Sequence, residues 1–557
     1  MASNVQVDPL LNALNGKGRY QILQFSLCKA STISVAVVIF SFVFVGRNIP
    51  HVCSKPSNTS EVITAIDDDT FTINNSNIYY DKCNIRIVAN VSGHTETKQL
   101  PCLFGYIFSE RKDLSIISDY YIQMELVCEK APLRALGMSL FFLGQVIGAA
   151  TLPIVSDRHG RRPVHLISHF CVLVLGICAS FSPNYTVFLV VRFFTGIVHS
   201  GLVLTDATIS VELFPAQHRK LFGFITNQFR VWGLVVLAGL AYSLRDQSWR
   251  WLQLGLTSVS LSVIPAAVLL DETLRWLIVH GRVDDIRKTL EKAARMNKVD
   301  KRHVMEEFGN IQDHHKSLLP RRLSLEMEPN SPTSQGKEDS ENTVKVTHSL
   351  ADLLKVKRLA INTIVMWFIW LSSSMILLGI YLNSESLAAG RYINFFVIAI
   401  IPCPSGVIFY FMVDRYGRKT TLRALYVITT GGLAVATAVR IFSVSDGNAA
   451  IASTIFSCFG AMGITEITST LFFYTPEMFP TTMRNVGLGS SAAIGRVGGI
   501  VIPFIILMAD DITWAPGVIL TAMAVITLVL IQVLPETKGR ELPQTLEDLK
   551  GWYRESS

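Results

Sequence analysis

Twelve stretches of roughly 20 apolar residues, six on either side of a long polar gap, limit what this chain can fold into more than any other feature. They lie near 22–45, 133–155, 164–182, 186–209, 220–243 and 250–270, then near 358–381, 391–412, 420–441, 449–473, 485–508 and 514–533. A bilayer core about 30 Å thick is crossed by about 20 helical residues at 1.5 Å each, so every run is long enough to span it. With 557 residues, half of them apolar and 17% charged, the chain is too apolar for a soluble protein of several domains. An all-α polytopic membrane protein is expected. Pro153, Pro265, Pro402, Pro404 and Pro503 fall inside the runs, where neighbouring helices can satisfy the carbonyls they free.

The runs divide the chain into a tail (1–21), a six-helix half (22–270) with a large insert (47–132), a central loop (271–357), a second half (358–533) and a closing tail (534–557). The first 20 residues lack the short apolar core and cleavage site of a signal peptide, so the first helix is expected to remain as an anchor. Arg158, Arg161, Arg162, Arg219, Lys220, Arg415, Arg418, Lys419 and Arg484 all fall in short loops on one side. By the positive-inside rule that side is cytosolic, as are both termini, and the expected location is the plasma membrane. This bias accounts for much of the net charge of +7, so no nucleic-acid partner is implied.

The 47–132 insert then lies outside. It holds Cys53, Cys83, Cys102 and Cys128 together with acceptor sequons at Asn58, Asn74 and Asn90. An oxidising compartment favours two disulfides and glycosylation, although four cysteines allow three pairings. The other five cysteines sit in apolar runs as packing residues, and no metal or cofactor spacing occurs. In the central loop, 313–348 is rich in Ser, Pro, Glu and Lys and reads as disordered; Ser324 follows a basic pair there as a candidate phosphoacceptor.

Internal duplication is the most specific signal. Glu212-Leu213-Phe214-Pro215 with Arg219 recurs as Glu477-Met478-Phe479-Pro480 with Arg484. Asp157-Arg158-His159-Gly160-Arg161-Arg162 recurs as Asp414-Arg415-Tyr416-Gly417-Arg418-Lys419, and Glu272-Thr273 recurs as Glu536-Thr537. The offsets are 265, 257 and 264 residues, each copy at a cytosolic helix end. Two similar halves around a midplane site suit a rocking-bundle carrier whose inner charge pairs hold one access state until they separate. Carboxylates at helix ends can also bind the positive pole of a neighbouring helix.

These motifs carry a resemblance. Asp157 to Arg162 resembles the loop signature of the major facilitator superfamily, with Pro153 where that signature has glycine. Glu272 to Leu277, Tyr474 to Thr481, Pro535 to Gly539 and the cysteine-bearing first exterior loop are similar to features of the organic cation, anion and zwitterion transporters. That loop has four cysteines here, where family members often have six. The resemblance implies a major facilitator fold, twelve helices in two pseudo-symmetric halves, and alternating-access transport of a small organic ion across the lipid bilayer. A sodium ion or proton is a possible coupling ion, and no cofactor is implied.

Charges inside apolar runs point to the substrate site, since each costs a few kcal/mol in lipid. Arg496 lies about ten residues into its run, hence roughly 15 Å deep, and Arg230 lies at nearly the same depth and maps to 495 under the 265-residue offset. Two midplane guanidinium groups would suit carboxylate or sulfate. Arg496 also stands where anion and carnitine-type members resemble one another in having arginine, and Ile400 and Ser469 replace two acids of cation carriers. The favoured substrate is therefore an organic anion or a zwitterion such as a carnitine-like compound. Asp206 and Glu466 lie in the inner thirds of their runs, where they could pair with the arginines, hold a coupling proton or meet a cation. They underlie the alternative of a cation carrier; a non-transporting receptor of the same fold is a further one. Arg192 reads as structural or coupling-linked, and Trp232 as a candidate aromatic of the cavity. No nucleophile, metal or phosphate-loop constellation suggests an enzyme.

Overall fold

The computed structural model describes residues 7–56, 76–91, 94–119, 125–311, 352–386, 390–442, 447–480 and 483–539. Twelve helices among them are long and apolar enough to cross a membrane. In the first half they are span 1 (Arg19–Val45), span 2 (Cys128–His159), span 3 (Arg161–Ser180), span 4 (Tyr185–Leu213), span 5 (Ala216–Ser243) and span 6 (Trp249–Leu269). In the second they are span 7 (Lys357–Leu382), span 8 (Arg391–Val413), span 9 (Arg418–Phe442), span 10 (Asn448–Glu477), span 11 (Val486–Asp510) and span 12 (Ala515–Val533).

Their packing repeats. Span 1 lies on span 5 as span 7 lies on span 11, and span 3 lies on span 4 as span 9 lies on span 10. The halves meet where span 2 touches span 11 and span 5 touches span 8, contacts that a twofold exchange of the halves interconverts. Lipid supplies no hydrophobic drive between helices, so close contact depends on small residues. A Cβ on Gly144 or Gly148 of span 2 would meet the span 4 backbone, and one on Gly432 of span 9 would lie 2.7 Å from the Phe456 carbonyl of span 10.

The insert is more than a loop. β1 (His51–Cys53) pairs antiparallel with β5 (Tyr106–Phe108), while β2 (Ser76–Tyr80), β3 (Asn84–Val91) and β4 (His94–Pro101) form a three-stranded antiparallel sheet. Ile85 and Ile87, two apart and so on one face of β3, are buried with Cys53. So small a core needs staples, and the structure joins Cys53 to Cys102 and Cys83 to Cys128. The Asn90 backbone pairs with Thr95 inside the sheet. Asn58, Asn74 and Ser324 lie outside the described residues.

On the opposite face, a short helix (Asp8–Ala13) buries Leu10 and Leu11 against the central-loop helices Leu274–Val279 and Val283–Asn297. Asn297 ties this tail down, accepting from the Tyr20 amide at 2.8 Å and donating to the Leu14 carbonyl at 2.6 Å. The tail thus packs as part of the fold, which its sequence alone did not suggest.

Candidate transport site and gates

The duplicated motifs build the same clasp twice on the basic face. Glu272 accepts the backbone N–H groups of Arg161 and Arg162, each at 3.1 Å, where span 3 begins. Glu536 accepts those of Arg418 at 2.9 Å and Thr420 at 3.2 Å, where span 9 begins. Each carboxylate thus satisfies unpaired amides at the positive pole of a helix. The next threonine donates sideways, Thr273 to Glu212 at 2.6 Å and Thr537 to Glu477 at 2.5 Å. Those glutamates also face an arginine, Arg161 at 3.4 Å and Arg418 at 3.2 Å, and Asp157 adds a 2.9 Å ion pair to Arg161.

Gly160 and Gly417 make room for this, with φ of 110° and 93°, and a Cβ on Gly417 would stand 2.8 Å from Glu536 Oε2. The two acids differ in titration. Burial pushes the Glu272 carboxyl above its usual range despite the amides it accepts. At Glu536 burial acts in the same direction, but the N–H groups of Lys538, Thr420, Arg418 and Lys419 outweigh it and hold the carboxyl below that range. Each clasp closes within one half rather than between halves. Arg219 donates to the Phe214 carbonyl and pairs with Asp8 at 3.3 Å, Asp8 also takes Arg275, and Arg484 donates to the Pro476 carbonyl at 3.0 Å. Arg158 is exposed beside them, and Arg415 lies over the Tyr416 ring. The side chain of Asp414 lies outside the described residues.

Between the halves a cavity of about 160 Å³ runs inward from Lys220, Arg418 and Glu477 to Asn227, Glu466 and Ser469. Span 5 forms one wall and spans 8 and 10 the other, with Phe224, Tyr410 and Phe473 between the polar ends. Lys220 sits 4.1 Å from the centre of the Tyr410 ring and donates to its carbonyl at 2.9 Å. Deeper in, the polar atoms lack partners: both carboxylate oxygens of Glu466, the Ser469 hydroxyl, the Asn227 amide nitrogen and both amide atoms of Gln228. Buried polar groups are normally hydrogen-bonded, so unmet donors and acceptors beside a cavity mark a place for a polar ligand. Arg230 donates to Asn227 and lies within electrostatic range of Glu466. Gly406 of span 8 lets the walls approach: a Cβ there would lie 3.2 Å from Phe224 and 3.3 Å from Glu466 Oε1.

On the insert face the halves are joined. Phe40 of span 1 meets Tyr381 of span 7 at 4.8 Å between ring centres, and Phe44 stacks on Tyr392 of span 8 at 5.6 Å. Asp510, at the end of span 11, receives Arg134 at 3.2 Å, Lys82 at 3.4 Å and the Asn48 amide at 3.3 Å, all from the first half. The molecule is therefore cross-linked by polar contacts on the insert face, while its central cavity reaches the basic face.

Residues 70–549 match the family described as sugar (and other) transporter, which covers most of the chain. The protein belongs to this transporter family. It is a multi-pass membrane transporter and not an enzyme. Among its relatives, the organic cation transporter protein of Drosophila melanogaster is 28% identical over 471 residues, covering 84% of this chain and 80% of that one. Human organic anion transporter 3 is 26% identical over 547 residues, covering 98% and 93%. The xylose transporter XylE from E. coli, solved in a partially occluded inward-open conformation, superposes with a TM-score of 0.58 at 15% identity over 95% of this chain and 100% of that one. XylE bound to a bromodeoxyglucose, a major facilitator superfamily protein, gives 0.54 at 17% over 78% and 93%. The fold is the major facilitator fold.

Within this transporter the expected site residues separate. Glu466 lines the cavity and Arg230 lies within electrostatic range of it, while Arg496 is not among the lining residues. It lies on span 11, donates to the Ala492 carbonyl of its own helix at 3.3 Å and is within electrostatic range of His199 on span 4. Under the 265-residue offset Arg230 maps to 495, one residue and about 100° round the helix from Arg496. Trp232 is five positions after Asn227, roughly 140° round the helix at 100° per residue, and 48% exposed, so it faces away from the cavity. Asp206 is also absent from the cavity. It pairs inside the first half with Lys29 of span 1 at 2.7 Å and with the Thr32 hydroxyl at 3.1 Å. Lys29 was missed by the sequence reading, as were His165, His169 and His199 in spans 3 and 4. A scan for every ionisable residue inside the apolar runs would have found all four. Arg192 is buried between the Phe42 and Phe141 rings, 3.4 Å from the Ser41 hydroxyl, which fits a structural place.

Proposed function

We propose that this transporter carries small organic ions by alternating access, with organic anions or zwitterions such as carnitine-like compounds as the favoured substrates. The observation that carries this reading is the placing of opposite charges, Arg230 and Glu466, within electrostatic range of each other among unpartnered amide and hydroxyl groups at the end of an interhalf cavity. A zwitterion presents a carboxylate to a guanidinium and a cation to a carboxylate, so it satisfies both ends at once. The names of the relatives, an organic cation transporter and an organic anion transporter, support the substrate class without choosing its sign.

The alternating movement rests on the same asymmetry. The Asp510 cross-links close the insert face, while the cavity opens toward the basic face, where Lys220 of span 5 bridges to Tyr410 of span 8. By this reading the basic face is cytosolic, the protein resides in the plasma membrane, and the clasps stiffen each half as it rocks. A second reading, cation transport, is favoured by Glu466 facing Tyr410, Phe224 and Phe473. It has lost Asp206, which is held by Lys29.

The test is uptake of labelled carnitine, a labelled aromatic carboxylate and a labelled quaternary cation by cells expressing the protein, with and without sodium. Arg230→Ala should remove carboxylate and carnitine uptake at unchanged surface level, and Glu466→Gln should weaken carnitine uptake more than uptake of the carboxylate. Cation uptake alone, abolished by Glu466→Gln and indifferent to Arg230→Ala, would overturn the anion and zwitterion reading.

A further inference from the structure

We propose that the charge state of Glu466 follows the charge of the substrate: a carboxylate is bound together with one proton, taken up on the Glu466 side chain, whereas a zwitterion is bound without one. This rests on the reading above and deepens it by naming the coupling ion of the same site, which then depends on what is carried.

Glu466 stands where such a proton would go. It is 1% exposed, on span 10 at the inner end of the cavity, and neither carboxylate oxygen has a hydrogen-bond partner among the described residues. Ser405 of span 8 lies beside it, but its hydroxyl donates to the Pro402 carbonyl at 2.8 Å. The point that a Cβ on Gly406 would occupy is 2.2 Å from Gln228 Nε2 and 3.3 Å from Glu466 Oε1. An amide of the first half and the carboxylate of the second therefore meet at one spot between the halves. Gln228 Oε1 and the Ser469 hydroxyl, both unpartnered, are the acceptors at hand for the O–H that protonation creates.

The charges around it are few. Arg230 of span 5 is the cation within electrostatic range of Glu466, and each acts on the other. Tyr381 of span 7 acts on Arg230, and Cys458, on the same helix as Glu466, acts on Tyr381. Tyr426 of span 9 is bonded to Ser372 and Ser373 of span 7, and Arg496 of span 11 acts on His199. Lys220, Tyr410, Arg418 and Glu477 line the cavity further out, toward the basic face. Among the described residues, one cation and one anion therefore balance in the empty site.

A buried charge is costly unless it is matched. A zwitterion brings a carboxylate to Arg230 and a cation to Glu466, and the site keeps zero net charge. A monocarboxylate takes Arg230 and leaves Glu466 as a second buried anion without a cation. A proton from water on the basic face, entering along the cavity, adds to a lone pair of a Glu466 carboxylate oxygen. The carboxylate becomes a neutral carboxylic acid, net charge returns to zero, and the same O–H bond breaks when the substrate leaves. A metal cation suits the cluster less, because its free atoms include the N–H donors of Asn227 and Gln228, which do not coordinate a cation. Anion transport is by this account electroneutral and driven by protons, and zwitterion transport is indifferent to them.

The test is proton counting on the full-length protein in lipid nanodiscs, in weakly buffered, sodium-free solution at pH 8. Labelled benzoate serves as the carboxylate and labelled carnitine as the zwitterion; an indicator dye reads protons and the label reads ligand bound. The wild type should take up about one proton per benzoate bound and close to none per carnitine. Its benzoate affinity should fall about tenfold per pH unit above pH 8, while its carnitine affinity stays level. Glu466→Gln, neutral at every pH, should bind benzoate more tightly than the wild type at pH 8, with no proton taken up and no pH dependence, and carnitine about tenfold or more weakly. The gain in benzoate affinity is a result that misfolding cannot produce. Benzoate bound without a proton, equal proton counts for benzoate and carnitine, or a proton still taken up by Glu466→Gln overturns the proposal alone. Failure of the wild type to bind benzoate overturns the anion half of the reading above and the proposal with it.

Discussion

Removing the Asp510 carboxylate should open the insert face. In the structure this one side chain receives Arg134, Lys82 and Asn48 from the opposite half. The pairs are partly exposed, with side-chain exposures of 31% for Asp510, 16% for Arg134 and 46% for Lys82, so solvent screening limits each to about 0.2–1 kcal/mol. With the Asn48 hydrogen bond, Asp510→Ala should cost the closed state about 1–2 kcal/mol. Since 1.4 kcal/mol is a factor of ten, the share of molecules open on that face should rise about 5- to 30-fold. The assay is the rate at which a charged thiol reagent labels Met138→Cys in nanodiscs, in a background carrying Cys178→Ser to remove an exposed thiol. Met138 is 1% exposed and lines the cavity beside Asp510. Salt near 1 M, where the Debye length falls to about 3 Å, should raise the wild-type rate toward that of the variant. Asp113→Ala, which breaks an ion pair confined to the insert, should leave the rate unchanged. A labelling rate unaltered by Asp510→Ala would refute the idea that these contacts hold the face shut.

Lys29→Met should destabilise the protein by about 3–5 kcal/mol, because it leaves the Asp206 carboxylate buried and unpaired, whereas Lys29→Met with Asp206→Leu should recover most of the loss. Thermal unfolding in detergent checks this, and equal loss in the single and double variants would show that the pair is not the cause. Gly417→Ala should cost about 1–2 kcal/mol, since a side chain is strained at φ 93° and its Cβ would press on Glu536. Gly160→Ala should behave alike in the other half, and a melting temperature unmoved by either would argue against the clasp geometry.

The clasps show how much a repeated sequence can reveal. Three motif pairs at nearly constant offsets located both sites, because residues at a helix end meet the nearest helix starts whatever surrounds them. The helices themselves were legible for a similar reason: a run of about 20 apolar residues has to cross the bilayer, and its length is written locally. The direction of a side chain around such a helix is not. Arg230 maps one residue from Arg496 under the repeat, a step of about 100° round a helix, and one lies within electrostatic range of Glu466 and the other of His199.

What the sequence determined by itself was therefore the number of spans, their division into two halves and the acid and base positions at their ends. Only the tertiary structure decided that Asp206 belongs to Lys29, that Cys53 bonds Cys102, and that unpartnered polar atoms gather around Glu466. The physical reason is that hydrophobic length and helix-end charge act within a few residues. A buried ion pair, a disulfide or a binding cavity instead joins groups far apart in sequence, such as Lys29 and Asp206, through the packing of whole helices.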